Sequence, residues 1–290
     1  MSDRLLLCTD LDRTLIPNGQ QPESPQARDR FSRICASPRL TLAYVSGRHR
    51  SLVQQAIDDY RLPCPDYVVG DVGTTIYRVE RAEAWCHLEE WERKIGSDWG
   101  GHSHADLVAL FADLSDLRMQ EGGKQNRYKL SYYVALKVDR AAILKTMGER
   151  LRATGVDATL VWSVDEPAGI GLLDVLPASA SKVGAVEFLM RSLGFSRANT
   201  LFCGDSGNDM PVLVSPVPAV LVKNAAPDVR QQAIESCKAL QTCETLYLAK
   251  GGYLGMNGNY SAGILEGVAH YHPAWMGQVL AESGLGGVKP

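Results

Sequence analysis

Two aspartates, Asp10 and Asp12, stand two apart in TDLDRTL (9–15), directly after the apolar run LLLC. At a strand end, residues two apart point the same way. Two carboxylates held together are costly unless something positive lies between them. A Mg2+ ion, which takes hard oxygen ligands, is the usual remedy; for an isolated pair a polar strand-to-loop turn, to which Thr14 can bond, is the commoner account. A second apolar run ends in YVSGRH (44–49). There Ser46 offers a hydroxyl, Gly47 lets backbone approach closely, and a helix starting near Arg50 would present free N–H groups. That combination suits a phosphate, although Ser-Gly after a strand is often a plain turn. Lys182, in SASKVGAVEFL, falls in the first turn of a helix. The macrodipole favours anions there, so this lysine is either solvated or justified by an anion. The fourth stretch, GDSGNDMPVL (204–213), is the most specific. Asp205 ends a strand, Gly207 relaxes the loop, and Asn208 and Asp209 precede a helix; the pattern reads as a metal site more than as a cap, with a plain N-cap at Asp209 as the alternative.

These residues need a scaffold that gathers them. Apolar, strand-like runs at 5–9, 40–45, 67–69, 201–203 and 219–222 alternate with helix-like stretches at 51–59, 181–193 and 227–237. Such alternation predicts a parallel sheet covered on both faces. In an open parallel sheet the carboxyl ends of the strands form one crevice. Asp10, Asp12, Ser46, Lys182 and Asp205 would meet there: acids for a metal, a hydroxyl and a lysine for a phosphoryl group. The middle of the chain reads differently. Between about 81 and 176 come a helix, a strand over 129–138, a helix over 140–154 and a strand over 158–163. Tyr132 and Val134 alternate with Ser131 and Tyr133, as in a sheet with one exposed face. Four of the five tryptophans (Trp85, Trp91, Trp99, Trp162) fall here, most of them suited to core packing. The organisation expected is therefore 1–82 and 178–290 as one domain, with an α+β module of 83–177 inserted.

Composition limits the partners. The 290 residues carry a net charge of −3, with 45% hydrophobic and 22% charged residues, as ordinary globular domains do. Bulk attraction to nucleic acid is not supported. The apolar runs are far shorter than a membrane helix needs, and no secretory leader is expected. The seven cysteines are odd in number and widely spaced, without a CxxC pair. Cys8 and Cys203 read as small core residues, and a reducing cytoplasm fits best.

TDLDRT, the Ser46 turn, Lys182 and GDSGND, in that order, resemble the four motifs of the haloacid-dehalogenase (HAD) phosphatase superfamily along the whole chain. The insertion is similar to that superfamily's class IIB cap, so the resemblance implies a doubly wound α/β core with an α+β cap. PDYVVGDVGTTIY (65–77), YKLSYYV (128–134), LLDVLP (172–177), VKNAAPDV (222–229) and AGILEGVAHY (262–271) resemble the sucrose-phosphatase branch. Phosphatases of mannosylfructose phosphate and glucosylglycerol phosphate share much of this layout. Arg13 stands where many members have glycine, a change not expected to disturb chemistry, and 273–290 resembles nothing named.

The resemblance implies a phosphatase in which Asp10 is the nucleophile and Asp12 the acid and then base, which requires a raised pKa at Asp12. It implies Mg2+ held by Asp10, the backbone carbonyl of Asp12 and Asp205. Ser46, Gly47, Arg48 and Lys182 would face the phosphate, with Asn208 and Asp209 behind. Asp71, Gly73 and Thr74 of the core, with Asn126, Tyr128 and Lys129 of the cap, would read the sugar as the cap closes. His49 is at most a secondary contact, Asp174 ends a strand, and His102 and His104 fall in an exposed loop. A monomeric cytoplasmic enzyme acting on a small sugar phosphate is implied, with association to the synthase of that substrate also in view. A phosphomutase and a phospho-accepting receiver module are the competing readings; Asp12 and the 83–177 insertion speak against a receiver.

Overall fold

The run before the first aspartate pair buries every residue: Leu5 is 1% exposed and Leu6, Leu7 and Cys8 are 0%. An apolar run without alternation is what a strand covered on both faces requires. The computed structural model describes residues 4–80, 84–165 and 168–282, and places this run at the middle of a sheet. In chain order the strands are β1 (Leu5–Thr9), β2 (Leu40–Val45), β3 (Tyr67–Gly70), β4 (Thr75–Val79), β5 (Trp85–His87), β6 (Arg118–Met119), β7 (Leu130–Ala135), β8 (Ala158–Asp165), β9 (Ile170–Pro177), β10 (Thr200–Gly204), β11 (Ala219–Leu221) and β12 (Leu246–Leu248). The helices are α1 (Ala27–Cys35), α2 (Arg50–Tyr60), α3 (Glu89–Gly96), α4 (His104–Leu110), α5 (Arg140–Ala153), α6 (Lys182–Leu193), α7 (Met210–Leu213), α8 (Pro227–Leu240), α9 (Ser261–Tyr271) and α10 (Pro273–Glu282).

The chain divides into two compact units. One takes the chain up to Gly70, Tyr77–Cys86 and the chain from Lys182; the other takes Asp71–Ile76 and His87–Ser181. In the first, the sheet order is β12-β11-β10-β1-β2-β3-β4-β5, with β1 parallel to both β2 and β10. The chain leaves β1 toward β2 on one side and returns through β10 on the other. That reversal makes the carboxyl ends of β1 and β10 a topological switch point, where such sheets open a crevice. Thr9 is in register with Cys203, and the Asp10 N–H donates to the Cys203 carbonyl at 2.9 Å, so the residues after both strands stand side by side. Phe31 and Ile34 of α1, Ile264, Leu265 and Val268 of α9, and Met276 of α10 join Leu5 and Leu7 in one buried cluster. Each such side chain contributes about 1.5–3 kcal/mol on burial.

The second unit carries an antiparallel sheet in the order β6-β7-β9-β8. Leu130, Tyr132 and Val134 of β7 pack on Ile143, Met147 and Leu151 of α5 and on Trp99. The opposite face of β7 departs from the expected alternation. Ser131 is 0% exposed, because its N–H and hydroxyl bond to Gln125 and to Lys124 and Asp174. The strand also stops at Ala135 instead of running to 138. The unit boundaries have physical causes. Gly73 is tied to the second unit by the Trp91 indole, which donates to its carbonyl at 3.0 Å. Asp98 accepts from the Ser179 N–H at 2.7 Å, which carries residues 178–181 with the inserted segment. The expected division between 82 and 83 lies outside the described residues, as does the end of the tail, 283–290. Before it, the unassigned tail forms α10.

Cys8 and Cys203 are buried thiols. Cys237 and Cys243, six apart, are joined by a disulfide, a pairing their spacing does not announce. It forms because Gln241, left-handed at φ 57°, turns the chain back at the end of α8. Among the described residues, no helix is long and apolar enough to cross a membrane.

Candidate active site

Asp10 follows β1 and Asp205 follows β10; they are 4% and 2% exposed, and Asp209 is 0%. One carboxylate oxygen from each lies within 4.8 Å of the others. Lys182, the first residue of α6, closes the group. Its Nζ donates to Asp10 Oδ1 at 2.7 Å, Asp209 Oδ1 at 2.6 Å and Asn208 Oδ1 at 3.2 Å. The anion that a first-turn lysine calls for is thus a pair of carboxylates. Asp209 is itself anchored: its Oδ2 accepts from the Asp205 N–H, the Ser206 N–H and the Ser206 hydroxyl, each at 3.1 Å. It thus closes a capping box whose N-cap is Ser206, makes no side-chain cap to α7, and is the partner of the lysine. Gly204 permits this approach, since a Cβ there would lie 2.6 Å from Asp209 Cγ.

Three carboxylates face one ammonium, and the titrations reflect that. Burial pushes Asp10 up to about 7 against the charge of Lys182, with Asp209 and Asp205 adding to the rise. Burial, aided by Asp209 and opposed by Arg13 and Thr14, pushes Asp205 up to about 6. Burial alone would lower Lys182, but the charges of Asp10 and Asp209 outweigh it and hold the ammonium above its usual range. Buried carboxylate oxygens short of positive charge are a fitting donor set for Mg2+.

Asp12 behaves differently from the expectation. Its carboxylate is not one of the three that converge. Arg48 grips it through two bonds, Nε to Oδ2 at 2.7 Å and Nη2 to Oδ1 at 2.6 Å, and the Asn18 amide donates to Oδ1 at 2.7 Å. Partial burial would raise its pKa, yet the bonds and charge of Arg48, with Asn18, hold it below the ordinary carboxylate range. The raised value expected for a waiting acid is therefore overturned: a two-bond guanidinium pair stabilises the ionised form.

A cavity of about 360 Å3 is lined by Asp10, Asp12, Ser46, Gly47, Arg48, Asp205 and Asn208, together with Arg13, Leu52 and Ser206. The structure therefore brings the expected phosphate and metal residues together, with Lys182 and Asp209 joined to them through Asp10. Ser46 accepts the Arg48 N–H at 3.2 Å, at the turn that leads into α2. His49 does not line the cavity; its Nδ1 pairs with the Ser51 hydroxyl at 2.9 Å.

The expected sugar-reading residues all lie in the second unit, Asp71, Gly73 and Thr74 among them, although these three were expected in the core. Asp71, Val72 and Gly73 are left-handed in succession, with φ of 51°, 60° and 94°. A Cβ at Gly73 would lie 2.7 Å from the Ser181 backbone. Thr74 bonds back to the Asp71 carbonyl at 2.9 Å and accepts the Asn126 amide at 2.8 Å. Asn126 in turn accepts the Tyr128 N–H at 2.9 Å. Lys129 is 8% exposed and donates to the Lys124 carbonyl at 3.2 Å, and Tyr128 packs edge-on against Trp99 at 5.5 Å. Asp174 stays within β9, bonded to Ser131. His102 and His104 are half-buried where α4 begins, bonded to the Thr154 carbonyl and to Gln125, so they are not an exposed loop.

Sequence reasoning missed Asn18, Asn224 and the partner of Arg13. Thr14 donates to Asp205 Oδ1 at 3.1 Å, and Arg13 pairs with its Oδ2 at 3.5 Å, so the first motif's loop holds both oxygens of the fourth motif's acid. Asn224 donates to the Arg13 carbonyl at 2.6 Å. Only its place within VKNAAPDV hinted at a role.

The chain matches the sucrose-6F-phosphate phosphohydrolase family over residues 3–272. A protein of Nitrosococcus oceani, named provisionally as a HAD-like hydrolase, is 51% identical over 95% of this chain and 75% of its own. The mannosylfructose-phosphate phosphatase of Agrobacterium fabrum is 30% identical over 77% of this chain and 85% of its own. The sucrose-phosphatase 1 of Nicotiana tabacum is 27% identical over 93% of this chain, which spans only 59% of the plant protein. Among solved structures, the sucrose-phosphatase of Synechocystis in complex with sucrose and phosphate has a TM-score of 0.68 at 24% identity, covering 92% of this chain and 98% of that one. The shared fold and the match over nearly the whole chain agree: this protein belongs to the sucrose-6F-phosphate phosphohydrolase family of HAD phosphatases and is a phosphoric monoester hydrolase.

Proposed function

We propose that the protein hydrolyses sucrose 6-phosphate to sucrose and inorganic phosphate through an aspartyl-phosphate at Asp10. The observation that carries this is Lys182 bonded at once to Asp10 and Asp209, beside a cavity that also presents Ser46, Gly47 and Arg48. In the first step Asp10 attacks phosphorus, the bond from phosphorus to the sugar oxygen breaks, and that oxygen takes a proton from Asp12. In the second, water gives a proton to Asp12 and attacks phosphorus, releasing phosphate and free Asp10. The low pKa that Arg48 and Asn18 give Asp12 suits the base of the second step; the first step needs the same carboxyl protonated, and so loosened from Arg48. Ser46, the Gly47 N–H and Lys182 would stabilise the phosphoryl oxygens as charge develops. A Mg2+ ion held by Asp10, Asp205 and the Asp12 carbonyl would supply charge neutralisation for the phosphoryl group. Asn126, Tyr128 and Lys129, with Asp71 and Thr74, are proposed as the sugar-reading groups.

The mannosylfructose-phosphate phosphatase relative favours one second reading, the phosphate ester of that other disaccharide. Phosphate release from sucrose 6-phosphate, mannosylfructose phosphate and glucosylglycerol phosphate, measured with Mg2+, separates them. The proposal expects the highest kcat/KM on sucrose 6-phosphate; a tenfold preference for either of the others would overturn it.

A further inference from the structure

We infer that Arg13 is a positioning residue that weakens the hold of the Asp10 and Asp205 carboxylates on a divalent cation; this rests on the metal reading above. Arg13 is left-handed at φ 57°, a conformation that a residue with a Cβ adopts only when its surroundings enforce it. Here they do so on both sides. Its N–H donates to Asn18 Oδ1 at 2.8 Å, and its carbonyl accepts the Asn224 amide at 2.6 Å. Asn224 is 2% exposed, and its Oδ1 accepts the Tyr260 N–H at 2.8 Å. Tyr260 bonds onward to the Gln21 carbonyl at 3.0 Å. Three loops, after β1, after β11 and before α9, therefore fix one backbone conformation.

The result is the direction of a side chain. Arg13 Nε sits 3.5 Å from Asp205 Oδ2, while Thr14 occupies Oδ1. The guanidinium stays charged at any working pH. A cation lies about 2 Å from a carboxylate oxygen, so one on Asp205 would stand roughly 5–6 Å from the guanidinium. Two charges on the ion against one on the arginine at that distance, with the screening of bulk water, lower affinity about tenfold. Bulk screening gives the smallest effect, since the Arg13 side chain is 45% exposed but that of Asp205 only 2%. The loop thus orients the ligand and loosens the ion it receives, which keeps the cation exchangeable in a pocket that buried acids would otherwise fill tightly.

The test is Mn2+ binding, followed by electron paramagnetic resonance of the free ion, in the intact wild-type protein, Arg13→Gln, Arg13→Gly, Arg13→Lys and Asp205→Asn. Arg13→Gly removes the backbone strain with the charge, so it serves if Arg13→Gln does not fold. The charge-removing variants should bind Mn2+ about tenfold tighter than wild type, Arg13→Lys should match wild type, and the gap should shrink as salt rises. The inference fails if removing the charge changes affinity less than twofold, or if Arg13→Lys behaves like Arg13→Gln. If Asp205→Asn binds Mn2+ as wild type does, the metal reading itself falls and takes the inference with it. If Asp205→Asn weakens binding while Arg13 proves neutral, only the inference falls.

Discussion

Replacing Lys182 by methionine removes the ammonium bonded to both Asp10 and Asp209 while keeping most of the side-chain volume. The lysine side chain is 4% exposed, and those of its partners are 6% and 0%, so little solvent screens what remains. Breaking a buried ion pair by deleting one member costs about 3–5 kcal/mol, because the orphaned charge stays buried. In EDTA, urea unfolding of Lys182→Met should show a loss of that size relative to wild type. Asp209→Asn removes the opposing charge, and in the Lys182→Met background it should cost much less than in the wild type. A double-mutant cycle should return a coupling of about 2 kcal/mol or more. Excess Mg2+ should shrink the cost of Lys182→Met, since a cation held by the same carboxylates replaces the missing charge. A loss under 1 kcal/mol in EDTA, or costs of the two substitutions that add within about 0.5 kcal/mol, would refute the reading of this lysine as the counter-charge of the buried acids.

Asp10→Asn should lower kcat by at least about 10³-fold with an unchanged circular dichroism spectrum; activity within tenfold of wild type excludes the nucleophile. Lys129→Ala should raise KM about tenfold for a disaccharide phosphate and hardly at all for p-nitrophenyl phosphate; equal losses on both substrates mean that it does not read the sugar. The protons on Asp10 and Asp205 set a pH trend. Both carboxyls are raised by burial, to about 7 and about 6, above their unfolded values near 4, so between these limits the folded state binds more protons than the unfolded one. In EDTA, unfolding free energy should therefore rise as pH is lowered from about 7 toward 4.5, and Mg2+ should flatten that trend; a free energy that falls over this window would contradict it.

Three of the motif stretches carried the core in plain sight, because β1, β2 and β10 are mostly apolar and each is followed by polar residues with chemistry. A short apolar run bounded by polar turn residues fits a doubly covered strand, and the switch-point rule then places Asp10 beside Asp205. Lys182 was legible only as an alternative: an ammonium at a helix start is either solvated or answered by an anion, and the fold answers it with Asp10 and Asp209. Other features depend on residues far apart in the chain. Whether Asp12 is an acid in waiting or an ionised partner of Arg48 turns on a guanidinium 36 positions away. The conformation of Arg13 turns on Asn224, 211 positions away. Residues 71–76 join the second unit through bonds such as Trp91 to Gly73, and the pairing of Cys237 with Cys243 turns on a left-handed cap. Local sequence fixes which strands and helices form and what chemistry they end in, since those follow from backbone sterics and burial. Charge state, side-chain direction and domain membership are sums over neighbours brought in from distant parts of the chain, and only the folded arrangement supplies them.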